Sequence, residues 1–414
     1  MAERRGFRRL GLLIAAAPAA ALADALPWPE FSLHGLADLR HRQIDARPGW
    51  IDGGLGKFRA GGDAGRFRID EAAVTVQARL WELAATATLK YAADQRNPVD
   101  LTEAFVSYRP LGSSAVRFGA RLGAFFPPIS LENTGTAWSS PYTLTSSAIN
   151  TWVGEELRSF GGEFHASYQF EGGDRVGLMA AGFAHNDTAG TLLAWRGFAL
   201  HDYEATSQDR LPLPGGIGTA RFFPRQAGIT RPFVEVDGRP GYYAGVTAER
   251  PESYKLRALY YDNRADTAAL EHGQYGWHTR FWSLGGKLDL PWDLTLIGQG
   301  VTGHTSMGEA IGGSHPVDFG FWAASLLLSK SFGSHRFSLR HDRFGADEND
   351  LLPEDRNGEG GYAWTANYNL TWVQRHQVNF EVSRVVSRRP ARLQLGQSSR
   401  QEEVLWQVAY RWFF

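Results

Sequence analysis

The plainest pattern in this chain is a two-residue alternation of apolar and polar side chains. Over 362–372 the even positions are Tyr362, Trp364, Ala366, Tyr368, Leu370 and Trp372, while the odd positions include Thr365, Asn367, Asn369 and Thr371. A strand sends successive side chains to opposite faces, so this segment has a greasy face ended by aromatics and a polar face. The pattern recurs. Phe160, Phe164, Ala166, Tyr168 and Phe170 alternate with Glu163, His165 and Ser167, and Val116, Phe118, Ala120 and Leu122 alternate with Arg117 and Arg121. Tyr242–Ala248, Tyr254–Tyr260 and Val404–Phe414 repeat it. A soluble sandwich also alternates, but rarely places aromatics at both ends of so many strands. A lipid-facing sheet does, because aromatic rings favour the membrane interfaces.

Counting alternating runs predicts strands over 30–42, 66–79, 82–92, 100–109, 115–123, 158–170, 174–185, 241–250, 253–263, 277–289, 293–304, 318–331, 335–343, 361–373, 376–388 and 402–413. The second changes phase near Asp70-Glu71, which predicts a bulge there. The connections alternate in length. Short ones fall at Leu80-Trp81, Pro110–Ser114, Glu171–Gly173, Arg250–Glu252, Leu290–Trp292, Phe332–Ser334 and around Gln374. Long ones fall at 43–65, 93–99, 124–157, 186–240, 264–276, 305–317, 344–360 and 389–401. Short periplasmic turns and long extracellular loops are the asymmetry of outer-membrane barrels. The expected fold is therefore all-β: a transmembrane antiparallel β-barrel of about 16 strands, with both termini in the periplasm.

Composition agrees and adds a processing step. Arg4, Arg5, Arg8 and Arg9 precede an apolar run, Leu10 to Ala20, and then Ala21-Leu22-Ala23. This has the layout of a cleaved secretory signal over 1–23, leaving a single barrel domain over 24–414 that begins at Asp24. Losing those four arginines and Glu3 would take the formal net charge from −1 to −4, which is not the balance of a nucleic-acid binder. There are no cysteines, so no disulfide framework stabilises the chain. A closed sheet instead satisfies its own backbone groups in lipid.

Within this layout, one stretch carries a family signature. The segment Asp100–Pro110, DLTEAFVSYRP, is followed by Val116–Asn133, VRFGARLGAFFPPISLEN. A strand with E-A-x-V-x-Y, a short turn, then G-x-F-x-P and Leu-Glu resembles the phosphate-selective porin O/P family of outer-membrane channels. The resemblance implies a sixteen-strand barrel, a homotrimer, and a third external loop folded into the lumen. Here that loop is 124–157, and a short helix starting near Ser146 or Ser147 would narrow the channel. The chain departs from the family's basic ladder and lysine-rich entrance: its lysines are Lys57, Lys90, Lys255, Lys287 and Lys330 alone. The resemblance thus carries scaffold and passive diffusion, not the anion.

A porin does no covalent chemistry; bore and lining charge set its selectivity. Arg117, Arg121, Lys255, Arg257, Arg336 and Arg340 are the candidates for a basic wall. Glu103, Glu155, Glu156 and Glu163 are the candidates for an opposing acidic element, with Glu155-Glu156 in the constriction loop. The alternative for each is a solvated lumen charge paired with its neighbours. The longest loop, 186–240, carries Trp195, Phe198, Phe222 and Phe223, which either grip a solute or pack the loop over the barrel mouth.

Other chemistry lacks its motifs. No H-E-x-x-H or G-x-S-x-G is present. The acidic run Asp347-Glu348-Asn349-Asp350 with Glu354-Asp355 lacks calcium-loop spacing. The expectation is a channel for small hydrophilic solutes or anions, with no cofactor and no metal. Its expected partners are outer-membrane lipid, lipopolysaccharide and, through Phe414, the barrel-assembly machinery. A barrel-type enzyme and an occluded structural or adhesive barrel are the alternatives.

Overall fold

The computed structural model describes residues 28–45, 48–59, 61, 67–110, 112, 114–215, 222–352 and 356–414. The expected signal segment 1–23 and Asp24, Leu111 and Ser113 of one short turn, and Glu354-Asp355 lie outside the described residues.

Sixteen antiparallel strands close into one barrel. In chain order they are β1 (Glu30–Asp45), β2 (Arg68–Leu80), β3 (Leu83–Ala92), β4 (Val99–Tyr108), β5 (Val116–Phe125), β6 (Ser159–Gln169), β7 (Arg175–Ala184) and β8 (Gly241–Arg250). There follow β9 (Tyr254–Asp262), β10 (His278–Leu290), β11 (Leu294–Met307), β12 (Val317–Phe332), β13 (His335–Glu348), β14 (Glu359–Trp372), β15 (His376–Arg388) and β16 (Arg400–Phe413). Each pairs with its sequence neighbour, and β16 returns to β1, from Leu36 opposite Phe413 to Asp45 opposite Val404. The circuit is closed, so no strand is left as a free edge along the wall. Among the described residues no helix is long and apolar enough to cross a membrane.

The alternation sorts the faces as expected. Leu178, Trp282, Leu284, Trp364 and Trp406 are exposed on the outer wall, while Thr365, Asn367 and Asn369 point inward and are buried. The bulge is at Asp70: Leu39 pairs with Ile69 and Asp38 with Glu71, leaving Asp70 as the extra residue. Two consecutive carboxylates, Asp70 and Glu71, are thereby both buried inside.

Several strands run further than alternation predicts. The largest extension is β13, expected to stop at residue 343 and reaching Glu348. The reason is an inversion of the pattern. Near the long-loop end, inward Phe344 and Ala346 are buried while outward Arg343 is exposed. Beyond the apolar band the outer wall meets water and the inner wall meets packed loops, so apolar residues move inside. Phe183, Tyr243, Tyr261, Phe281 and Phe321 follow the same rule.

The turns obey length rather than composition. Trp292 and Asp293 both have positive φ (63° and 56°), as do Val373 and Gln374 (52° and 56°). Two left-handed residues give a hairpin the twist its strands require. These sequences lack the usual Asn-Gly chemistry, and for Val373 the conformation is strained.

Candidate functional site: the loop-filled lumen

Two long loops enter the barrel. The first, between β5 and β6, crosses the lumen on hydrogen bonds to inward side chains. The Leu131 amide donates to Gln299 Oε1 on β11 (3.1 Å), and the Leu144 and Thr145 amides donate to Glu381 on β15 (2.6 and 3.0 Å). Arg340 on β13 clamps the middle of the loop. It binds Glu132 (2.5 Å) and Asp342 (2.8 Å) and donates to the Thr145 and Ser146 carbonyls (2.5 and 2.9 Å). A helix, α1 (Ala148–Glu156), follows. Its N-cap is Ser147, whose hydroxyl accepts from the Asn150 amide. Every α1 residue is buried, and Trp152 packs edge-on against Phe281 and Phe321 (5.1 Å each).

The second loop, between β7 and β8, packs on the first. All residues 186–201 are buried, including a short helix, α2 (Thr191–Trp195). The two loops are tied at the end of α1. Glu155 receives both Arg196 Nη atoms (2.6 and 2.5 Å) and His201 Nε2 (2.8 Å). Burial pushes the Glu155 carboxyl up, but Arg196 and His201 outweigh it and hold it down at about 2. Glu156 accepts from the Gly190 and Leu192 amides (3.0 and 2.9 Å) and from Trp152 Nε1 (2.8 Å). Among the described residues no cation pairs with it, and burial pushes it up to about 7 against those donors.

A second tie reaches the wall. Asp202 pairs with Arg40 on β1 (2.7 Å) and lies 3.8 Å from Arg411 on β16. Burial raises its carboxyl, but Arg40, Arg42 and Arg59 hold it far below the usual range. Glu204 lies 3.5 Å from Lys90 on β3, yet burial pushes it up to about 8. The loop after β1 also joins in. Trp50 meets His201 at a tilt (5.0 Å) and Tyr203 edge-on (5.2 Å), and Lys57 pairs with Glu359 and donates to the Phe198 carbonyl (2.7 Å). These groups fill the long-loop half of the lumen over the described residues.

The short-turn half differs in charge and exposure. Inward Arg117 is exposed, and inward Arg121, Arg175, Lys255, Arg257, Lys287 and Arg336 are partly exposed. Against them stand Glu103, Glu163, Glu249 and Asp289. The excess of cations over carboxylates makes this vestibule basic, although the chain as a whole is slightly acidic.

The predicted site residues therefore divide. Arg117, Arg121, Lys255, Arg257 and Arg336 share the vestibule. Arg340, Glu155 and Glu156 are wholly buried in the packing of loop on loop and loop on wall. The expected opposition of a basic wall and an acidic element is not what the structure has. Glu163 is the direct cross-strand neighbour of Arg121 and binds it at 2.9 Å, and Glu103, one strand away on β4, accepts from the Phe126 amide. Glu155 answers Arg196 within the loops. The acids lie beside the bases because neighbouring strands neutralise each other's inward charges. Sequence reasoning missed Arg40, Glu132, Arg196, His201 and Asp202. Arg40 was findable from its inward parity in β1; the loop residues carry no periodic signal.

The aromatics of loop 186–240 pack inward: Trp195 meets Trp277 edge-on (4.9 Å) and Phe198 meets Phe344 (5.7 Å). The one group of carboxylates spaced for a cation among the described residues is Asp187, Glu235 and Asp237. There Asp187 Oδ2 is already taken by the Val236 amide (2.6 Å).

No family model matches the sequence, and no curated protein matches it. Solved structures match its fold over nearly the whole chain. OmpT (in-vitro folded), an outer membrane protein of Vibrio cholerae in its trimer form, has a TM-score of 0.54 at 8% identity, covering 94% of this chain and 100% of that one. An anion-selective porin from Comamonas acidovorans has a TM-score of 0.52 at 12% identity, covering 93% and 100%. Salmonella typhi OmpF in complex with daunomycin has a TM-score of 0.50 at 10% identity, covering 93% and 98%. At such identities the likeness is one of fold: a porin-like barrel of outer-membrane type. The narrower resemblance to the phosphate-selective O/P family is not singled out.

Proposed function

We propose that this chain is an outer-membrane porin that passes small hydrophilic solutes and favours anions. The single observation that carries this reading is the basic, partly exposed vestibule around Arg117, Arg121, Lys255, Arg257 and Arg336. A lumen lined with one sign of charge between low-dielectric walls raises the local concentration of the opposite ion. The loops between β5 and β6 and between β7 and β8 set the bore above the vestibule. The protein would be exported by its N-terminal segment, inserted by the assembly machinery and assembled as a homotrimer, as one structural neighbour's trimer form suggests.

The test is reconstitution into planar bilayers and measurement of reversal potential across a salt gradient. The expected result is anion selectivity that falls when Arg117 and Arg121 become Ala. Cation selectivity in both proteins would reject the reading. The packing of residues 186–201 favours a second reading, an occluded barrel with a structural role. It predicts no stepwise conductance until that loop is shortened.

A further inference from the structure

Among the long loops, apart from the vestibule, lies a polar pocket of about 190 Å³. The loop between β3 and β4 lines one part of it, with Arg96 and Asn97, and the loop between β7 and β8 lines the rest. Asp100 on β4 fastens the two loops together. Its carboxylate accepts from Ser207 Oγ (2.8 Å) and from the Gln208 amide (2.9 Å), and the Ser207 amide donates to the Leu101 carbonyl (2.9 Å). The pocket is thus shaped before any ligand arrives, which lowers the entropic cost of binding.

Its cations are brought together by register and have no acid to answer them. Leu211-Pro212 and Ile229-Thr230 form a two-stranded ribbon in which Leu211 pairs with Thr230. The next position along sets Arg210 across from Arg231. Like charges facing each other across a ribbon repel. Among the described residues neither has an ion pair, and nor does Arg96. Of the lining residues only Asp209 is acidic, and its buried carboxylate already accepts from the Tyr203 hydroxyl (2.6 Å) and the Thr206 amide (2.8 Å). The neutral groups are as specific. Asn97 Nδ2 donates to Gln208 Oε1 (3.2 Å), which leaves Asn97 Oδ1, an acceptor, and Gln208 Nε2, a donor, without a partner among the described residues. A hydroxyl both donates and accepts, so it suits that pair. Phe233 adds an apolar wall, its ring held by Phe160 (5.7 Å) and the Arg158 guanidinium (5.1 Å).

We propose that this pocket binds a sugar acid the size of one monosaccharide. The carboxylate sits between Arg210 and Arg231, the ring hydroxyls meet the amides of Asn97 and Gln208, and the C–H face of the ring lies on Phe233. The arginine fork matches a carboxylate through two parallel hydrogen bonds. At about 30 Å³ per water the pocket holds about six waters, room for one sugar ring and not for a chain. A phosphate monoester carries nearly two negative charges, and Asp209 opposes the second. A simple inorganic anion leaves Asn97, Gln208 and Phe233 unused. The proposal deepens the porin reading and rests on it for the pocket's role, which is to take solute at the barrel mouth ahead of the vestibule.

The test is isothermal titration calorimetry on the purified full-length barrel in detergent at low salt, with glucuronate, glucose, acetate and glucose 6-phosphate as probes. Wild type should bind glucuronate at least tenfold more tightly than glucose or acetate, and more tightly than glucose 6-phosphate. Arg210→Ala/Arg231→Ala should lose at least tenfold while still migrating as a folded barrel in unheated gels. Phe233→Ala should weaken glucuronate and leave acetate as it was. Arg117→Ala/Arg121→Ala, in the vestibule, should bind glucuronate as wild type does. The assignment is overturned by a wild type that does not bind glucuronate or prefers glucose 6-phosphate, by undiminished binding in Arg210→Ala/Arg231→Ala, or by lost binding in the vestibule variant. Conductance recorded on the same samples separates the two readings. A non-conducting barrel that binds glucuronate sinks the channel and leaves the pocket; a conducting barrel that does not bind it does the reverse.

Discussion

Replacing Glu155 with Ala tests whether the two lumen loops are held by one buried charge cluster. Glu155 and Arg196 have side chains 0% and 2% exposed. Without the carboxylate, Arg196 keeps, among the described residues, the Gly197 carbonyl at 3.5 Å and the Trp50 ring at 5.1 Å, and neither neutralises it. An unpaired buried charge costs about 3–5 kcal/mol. The barrel cannot relieve that cost, because its strands are closed and paired. The loop can, by moving Arg196 into water. At about 1.4 kcal/mol per tenfold, even the lower figure shifts the docked-to-released equilibrium by roughly two orders of magnitude. Limited proteolysis should therefore cut within 186–215 in Glu155→Ala and spare it in wild type, with larger unitary conductance in bilayers. The double variant Glu155→Ala/Arg196→Met removes both charges and should recover most of the protection, since an apolar replacement of the whole pair costs little. Wild-type proteolysis and conductance in Glu155→Ala would refute the reasoning. So would a double variant no better than the single.

Other expectations follow from the same interior. Glu156, pushed up to about 7 by burial, binds a proton in the docked state that a solvated carboxylate with its ordinary value near 4.5 does not. Docking is therefore favoured below about 4.5 and loses that advantage as pH rises from there to about 7. The difference in conductance between wild type and Glu156→Gln should change across that window and be flat above it, whereas His201, lowered by burial, gives a slope of opposite sign common to both proteins. Arg340→Ala strands Glu132 and Asp342 in the barrel and should cost about 3–5 kcal/mol, read as accelerated amide exchange over 131–147 with β-sheet circular dichroism unchanged. Gly123 has φ of 139°, and a Cβ there would lie 2.2 Å from the Ala104 carbonyl oxygen. Gly123→Ala should lower barrel stability by about 1–3 kcal/mol in urea unfolding.

The sequence by itself determined the wall. Period-two alternation decides which side chains meet lipid, and a one-residue slip would turn every one of them around, so the sixteen strands, their faces and the Asp70 bulge were legible from local pattern. The alternation of short and long connections fixed which neighbours pair and which end carries the loops. Loop contents were not legible, because loop residues have no period and meet partners hundreds of residues away: Leu144 with Glu381, Lys57 with Glu359, Asp202 with Arg40. Nor could the sequence say that Glu155, Glu156 and Arg340 are sealed in packing while Arg117 and Arg121 stay in the vestibule. An inward charge reads the same whether water or a loop lies over it. Only the tertiary structure decided that, by filling the long-loop half of the barrel and so inverting the pattern at β13, where Phe344 turns in and Arg343 turns out.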